Sequence, residues 1–147
     1  MGLLAEAKGL VAYQLANQFG VHLRVGGANA GHTFFHNDEK FVARSIPCGW
    51  VNPDAEIVIG PGAVIDVAVL KEELEYIEDK GYSVRSRLWI DGKAGIITEE
   101  QHHFEGGVDG YAHQNIGSTG EGVGISRIAR INRGSLLPDD PAHEFVS

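Results

Sequence analysis

The chain has 147 residues and 43% hydrophobic content, which suits one domain with a single core. A formal charge of -8, with no run of five or more Lys or Arg, argues against a phosphate-backbone footprint for DNA or RNA; there is no apolar run of about 18 residues to span a bilayer and no basic-then-apolar leader. The one cysteine, Cys48, has no internal disulfide partner and no metal or nucleophile motif around it, which fits a reduced, cytoplasmic compartment, and the 20 glycines, roughly twice the usual ~7% share, call for tight turns and close backbone approach.

In chain order, good helix formers predict a helix over Lys8 to Phe19, capped near Gly20. Val21 to Val25 alternates like a strand and runs into the glycine-rich stretch Gly26 to Thr33. Phe34-Phe35 and Phe41-Val42 flank the turn chemistry of Asn37-Asp38, predicting a short hairpin. Ala55 to Ile59 reads as a buried strand that Gly60-Pro61-Gly62 stops. The clearest helix follows: Asp66 is its N-cap, Val67, Leu70, Leu74 and Ile77 share one face, Glu72, Glu73 and Glu75 form a solvated face, and Gly81 ends it. Val84 to Ile90 then alternates like a strand, and this strand, helix, strand order predicts an α/β layer with parallel strands. From Asp91 to Gln114 the signal weakens to a turn at Asp91-Gly92, a short apolar Ile96-Ile97, surface loop and short helix. A second glycine-rich loop, Gly117 to Gly124, leads into a helix over Ile125 to Arg133, and residues 135–147 read as a frayed tail. Trp50 and Trp89 are expected to be core or interface anchors.

The two glycine-rich loops carry the chemistry. Their glycines let backbone N–H groups approach an anion, and Asn, His, Ser, Thr and Arg stand at close range, which points to phosphate or nucleotide binding; the alternative is that both are merely tight turns. Another reading takes His102, His103 and His113, joined by His32 or His36, as metal ligands, but adjacent histidines on a helix do not converge on one ion and no paired-Cys or H-E-x-x-H spacing supports it.

Three ordered motifs resemble those of the adenylosuccinate synthetases. Gly26-Gly27-Ala28-Asn29-Ala30-Gly31-His32-Thr33 is similar to the family's GGxNAGHT loop, Ile59 to Asp66 to its IGxGxVxD turn, and Ile116 to Gly124 to its second glycine loop. The resemblance runs from about Glu6 to Gly134, the first part of a full family member. It implies an α/β, partial P-loop-NTPase-like domain over residues 1–147 with a mainly parallel central sheet. The activity implied is the GTP-dependent joining of aspartate to IMP by a cytoplasmic homodimer. In that frame His32 is the general acid, and Lys8, Asn29, Ala30, Gly31, Ser118 and Thr119 bind nucleotide. The main-chain carbonyl of Gly31 approaches Mg²⁺, and Arg133 (alternatively Arg130) reaches the partner's IMP phosphate.

The first motif departs from the family. Where members open with a strand and the loop GDEGKGK, this chain has Leu4-Ala5-Glu6-Ala7-Lys8-Gly9-Leu10, so Ala5 occupies the position of the aspartate base and the first strand is expected to be absent. An alanine accepts no proton, and losing a general base costs ~10²–10⁴-fold in rate. The resemblance therefore leaves three expectations open: a truncated synthetase inactive alone, a phage-type 2-aminoadenylosuccinate synthetase acting on dGMP, or a non-catalytic nucleotide-binding and dimerising module.

Overall fold

The computed structural model describes residues 3–106, 120–132 and 134, with the backbone alone for residues 3–7. Helix α1 (Leu3–Gln14) and a short 3₁₀ turn (Ala16–Gln18) precede strand β1 (Val21–Arg24). The helix starts earlier and stops sooner than the sequence suggests. The stretch aligned with the family's phosphate loop, from Leu4 to Leu10, is helical, as expected once Leu4 and Ala7 replace glycines with better helix formers.

Strands β2 (His32–His36) and β3 (Glu39–Ala43) form the expected antiparallel hairpin, with His36 opposite Glu39. Asn37 (φ 50°) and Asp38 (φ 64°) take the left-handed conformations of a two-residue primed turn, which their short polar side chains tolerate. Strand β4 (Glu56–Ile59), helix α2 (Val67–Asp79) and strand β6 (Leu88–Ile90) make the expected parallel unit, and the main sheet has the order β1-β4-β6, all parallel. Strands β5 (Val64–Ile65) and β7 (Gly95–Ile96) form a second, two-stranded parallel pair. Helices α3 (Glu99–Gly106) and α4 (Val123–Ile131) complete the described elements.

Helix α2 follows its sequence closely: the Asp66 carboxylate accepts a hydrogen bond from Val69 N–H at 3.1 Å, Leu70, Leu74 and Ile77 are buried, and Gly81 is left-handed at φ 88°. Its polar face is a correction. Glu73 is not solvated like Glu72 and Glu75, because its carboxylate accepts the backbone N–H groups of Arg44, Ser45 and Ile46. The strand expected over Val84 to Ile90 is also shorter. Arg85–Arg87 is a 3₁₀ turn, since the Arg87 guanidinium donates to the carbonyls of Trp50, Asn52 and Ala55 and pulls the chain out of the sheet line.

The core lies between the hairpin, α2 and one face of the main sheet. Trp50, Phe34 and Phe41 are all but fully buried, with Phe41 and Trp50 ring centroids 4.9 Å apart, and Ile57, Ile59, Leu70 and Leu74 join the same cluster. Trp50 is thus a core anchor, whereas Trp89 lies outside the core, 61% exposed on the opposite face of the sheet, which leaves it the interface role of the two expected.

Candidate functional site

The first glycine-rich loop crosses from β1 to β2, and two arginines hold its carbonyls. Arg24, on β1, donates to Ala30 O at 2.6 Å, and Arg44, just beyond β3, donates to Ala28 O at 2.8 Å. Side-chain alternation dictates Arg24's direction: Val21 and Leu23 face outward while His22 and Arg24 face inward. Arg44 also reaches groups fixed elsewhere. The Arg44 backbone N–H is bound by Glu73, and Arg44 Nη2 meets Glu121 Oε2 at 2.9 Å, which ties the first glycine loop to the turn before α4.

Close packing brings the motifs together. A Cβ on Gly27 would lie 2.7 Å from Val123 Cγ1, so only glycine lets the start of α4 seat against this loop. A Cβ on Gly9 would lie 2.4 Å from His32 Cβ, so glycine is equally required where α1 passes β2.

Lys8, Arg24, Ala30 and His32 share a groove of 700 Å³ running along β1 beside α1. Its walls are mostly apolar, and Lys8 and Arg24 are its two cations. Burial, and then the charges of Arg24 and Lys8, hold the His32 imidazole below its usual pKa, leaving it neutral at pH 7. Two buried nitrogens facing this region, Arg24 Nε and His32 Nδ1, have no hydrogen-bond partner among the described residues. Buried polar atoms without partners are costly, and a phosphoryl oxygen is an acceptor suited to Arg24 Nε, and to His32 Nδ1 once that nitrogen carries a proton. A smaller recess of 370 Å³ between β3 and α2 is lined by Glu73 and Tyr76 and holds none of the motif residues.

Several findings concern the residues singled out from sequence. Lys8, Ala30 and His32 come together, and Asn29 and Gly31 lie exposed on the same loop. Ser118, Thr119, Arg133, His113 and the tail 135–147 lie outside the described residues, as does the side chain of Ala5. Among the described residues the histidines do not gather into a metal cluster. His36 sits among the rings of Tyr13, Trp50 and Tyr82, His103 is exposed, and His102 Nε2 pairs instead with Asp66 Oδ2 at 2.8 Å.

A family model described as adenylosuccinate synthetase matches residues 5–143. The chain belongs to the adenylosuccinate synthetase family. Among curated adenylosuccinate synthetases it is 34% identical to that of Bacteroides fragilis over 142 residues, covering 95% of this chain and 34% of the relative. It is 38% identical to that of Pyrococcus horikoshii, covering 87% of this chain and 38% of the relative. The solved adenylosuccinate synthetase of Plasmodium falciparum superposes with a TM-score of 0.79 at 30% identity, over 90% of this chain and 31% of that one. The succinoaminodeoxyadenylate synthetase of cyanophage S-2L, solved with dGMP and dATP, gives 0.71 at 32% identity, over 92% and 39%. The chain therefore spans about a third of the length of the curated adenylosuccinate synthetases it matches.

Membership accounts for the mixed α/β fold and its mainly parallel sheet. The sequence did not single out Arg24, Arg44 or Glu73. Arg24 carried a readable signal, a cation at an inward position of an alternating strand, whereas Arg44 and Glu73 meet only in the folded chain.

Proposed function

We propose that this chain forms the nucleotide-binding part of an adenylosuccinate synthetase-type purine nucleotide ligase, which joins aspartate to IMP at the expense of GTP in a cytoplasmic homodimer. The observation that carries the reading is the groove with Lys8 and Arg24 on its wall, in which Arg24 Nε and His32 Nδ1 are buried without partners among the described residues beside the glycine-rich loop.

In the reaction the γ-phosphoryl group of GTP moves to O6 of IMP, and the aspartate amine then displaces it as inorganic phosphate. Charge develops on the phosphoryl oxygens, and positioned cationic donors stabilise it. Lys8 and Arg24 supply fixed positive charge. His32, neutral in the free chain, gains a proton when an anion offsets the two cations beside it, and so becomes a donor at the moment it is needed. Mg²⁺ neutralises phosphate charge when bound. Gly31 would offer it one carbonyl; a single carbonyl does not hold an ion that takes about six oxygens, so the ion would arrive with the nucleotide phosphates. Ala5 supplies no base, which sets a low turnover for the chain as it stands.

The cyanophage relative solved with dGMP supports a second substrate, a deoxyguanylate, at the same site. Calorimetric titration with IMP, dGMP and GTP separates the readings. One monophosphate is expected to bind with proton uptake, and His32→Ala to abolish that uptake while the chain stays folded. Binding of neither monophosphate would overturn the proposal, and binding without any succinyl-nucleotide formation would reduce it to a nucleotide-binding module.

A further inference from the structure

We propose that Asp66, His102 and Glu121 form a binding site for a divalent transition-metal cation of the zinc class, separate from the nucleotide groove. One ligand atom from each of the three lies within 4.8 Å of the other two. They come from distinct places: the N-cap of α2, the first turns of α3, and the turn that leads into α4. Chain segments 36 and 19 residues apart thus converge on one point.

The first ligand is held in place. Asp66 is 7% exposed, and its Oδ1 is occupied by the Val69 N–H, which leaves Oδ2 aimed at His102 Nε2, 2.8 Å away. That hydrogen bond is what such a site looks like with a proton in the cation's place. A metal would take the Nε2 lone pair, with the single imidazole proton carried on Nδ1. His102 and Glu121 side chains are each 35% exposed, so an ion can reach them.

Charge favours a cation here. Two carboxylates face one imidazole, and Arg44 on Glu121 Oε2 offsets only one of them. One nitrogen and two carboxylate oxygens suit Zn²⁺ better than Mg²⁺, which prefers oxygen alone, or Cu(I), which prefers sulfur. Three protein ligands leave a fourth position for water. Glu121 stands within the second glycine-rich loop, two residues beyond Thr119, so the ion would pin the end of that loop to α2 and α3.

The test is calorimetric titration of the chelator-treated chain with zinc chloride, without nucleotide, so that its outcome does not depend on the ligase reading. One zinc per chain is expected, together with a rise in melting temperature. His102→Ala should weaken binding at least about tenfold. Asp66→Asn keeps an acceptor for the helix cap while removing the ligand charge, and it should do the same. His103→Ala should leave binding unchanged. No saturable binding to the folded chain, or binding that survives both His102→Ala and Asp66→Asn, would overturn the site.

Discussion

One face of the three-stranded sheet carries Ile57, Ile59, Leu88 and Ile90, which join the core cluster with α2 and the aromatic residues. The other carries Val21, Leu23, Val58 and Trp89, and among the described residues it is largely open: Val21 is 59% exposed, and Leu23 and Trp89 are each 61% exposed. Both faces are mostly apolar, with His22 and Arg24 on the covered side and Glu56 on the open one. Parallel strands usually read as apolar on both sides because both are usually covered, so the pattern of the strands alone does not say which face has a cover. What decides it is the stripe of Leu70, Leu74 and Ile77 on α2, long enough for one face. The comparison makes stability a property of one side of the sheet, and substitutions on the two sides should separate sharply.

The largest effect is expected on the covered face. Ile57 is fully buried, and Ile57→Ala removes three carbons from a packed cluster, which costs about 2–5 kcal/mol. Urea denaturation measures it; a loss under about 1 kcal/mol would mean that this face does not hold the domain together.

Next comes a pH effect in the same cluster. Burial pushes the Cys48 thiol up from 9.0 to about 11. The unfolded chain therefore loses this proton first, and between 9.0 and about 11 the folded state binds more protons than the unfolded one. Stability falls as pH rises through that window, by about 2–3 kcal/mol from this group. Melting curves from pH 8 to 11, compared with Cys48→Ala, check it: the alanine variant should lose less stability on alkalinisation, and equal slopes would place Cys48 nearer solvent.

Third is Glu73, which joins the covered side to the site. Its carboxylate holds three successive N–H groups at Arg44, Ser45 and Ile46, and Arg44 in turn holds the Ala28 carbonyl of the glycine-rich loop. Glu73→Gln leaves one good acceptor and no charge, a loss of about 1–3 kcal/mol. It should also weaken nucleotide binding, which a stability change alone would not do at temperatures where the variant stays folded. Calorimetry on both proteins reads the two effects separately.

Much of this was legible beforehand, for identifiable reasons. The helix from Asp66 to Gly81 and the Asn37-Asp38 turn were readable because cap, periodicity and turn chemistry are local. The parallel pairing of β4 and β6 followed from the strand, helix, strand order. Local signals failed where distant groups intervene. Arg87 reaches the carbonyls of the 50–55 turn and shortens a strand that its own alternation supports. Glu73 looks solvated beside Glu72 and Glu75 until the chain after β3 arrives to use it. For the site, the glycine-rich signature marked His32 and its loop, but the arginines that grip that loop are joined to it only by tertiary contacts. The histidines behaved as their adjacency implies, since His102 pairs with Asp66 rather than with another histidine.

The smallest effect is expected on the open face, and it is the sharpest test of the comparison. Leu23 and Ile57 are aliphatic residues on adjacent strands of one sheet, and area bookkeeping at about 25 cal/mol per Å² assigns them very different values because one is 61% exposed and the other not at all. Leu23→Thr keeps strand propensity through its branched Cβ and removes apolar surface that water already reaches. Its effect on stability should therefore stay within about 0.5 kcal/mol in either direction. Thermal melts of this variant beside Ile57→Ala provide the measurement. A loss of 2 kcal/mol or more at Leu23, at about the level expected of Ile57, would mean that this face is covered in the folded protein in solution, and the contrast between the two sides would collapse.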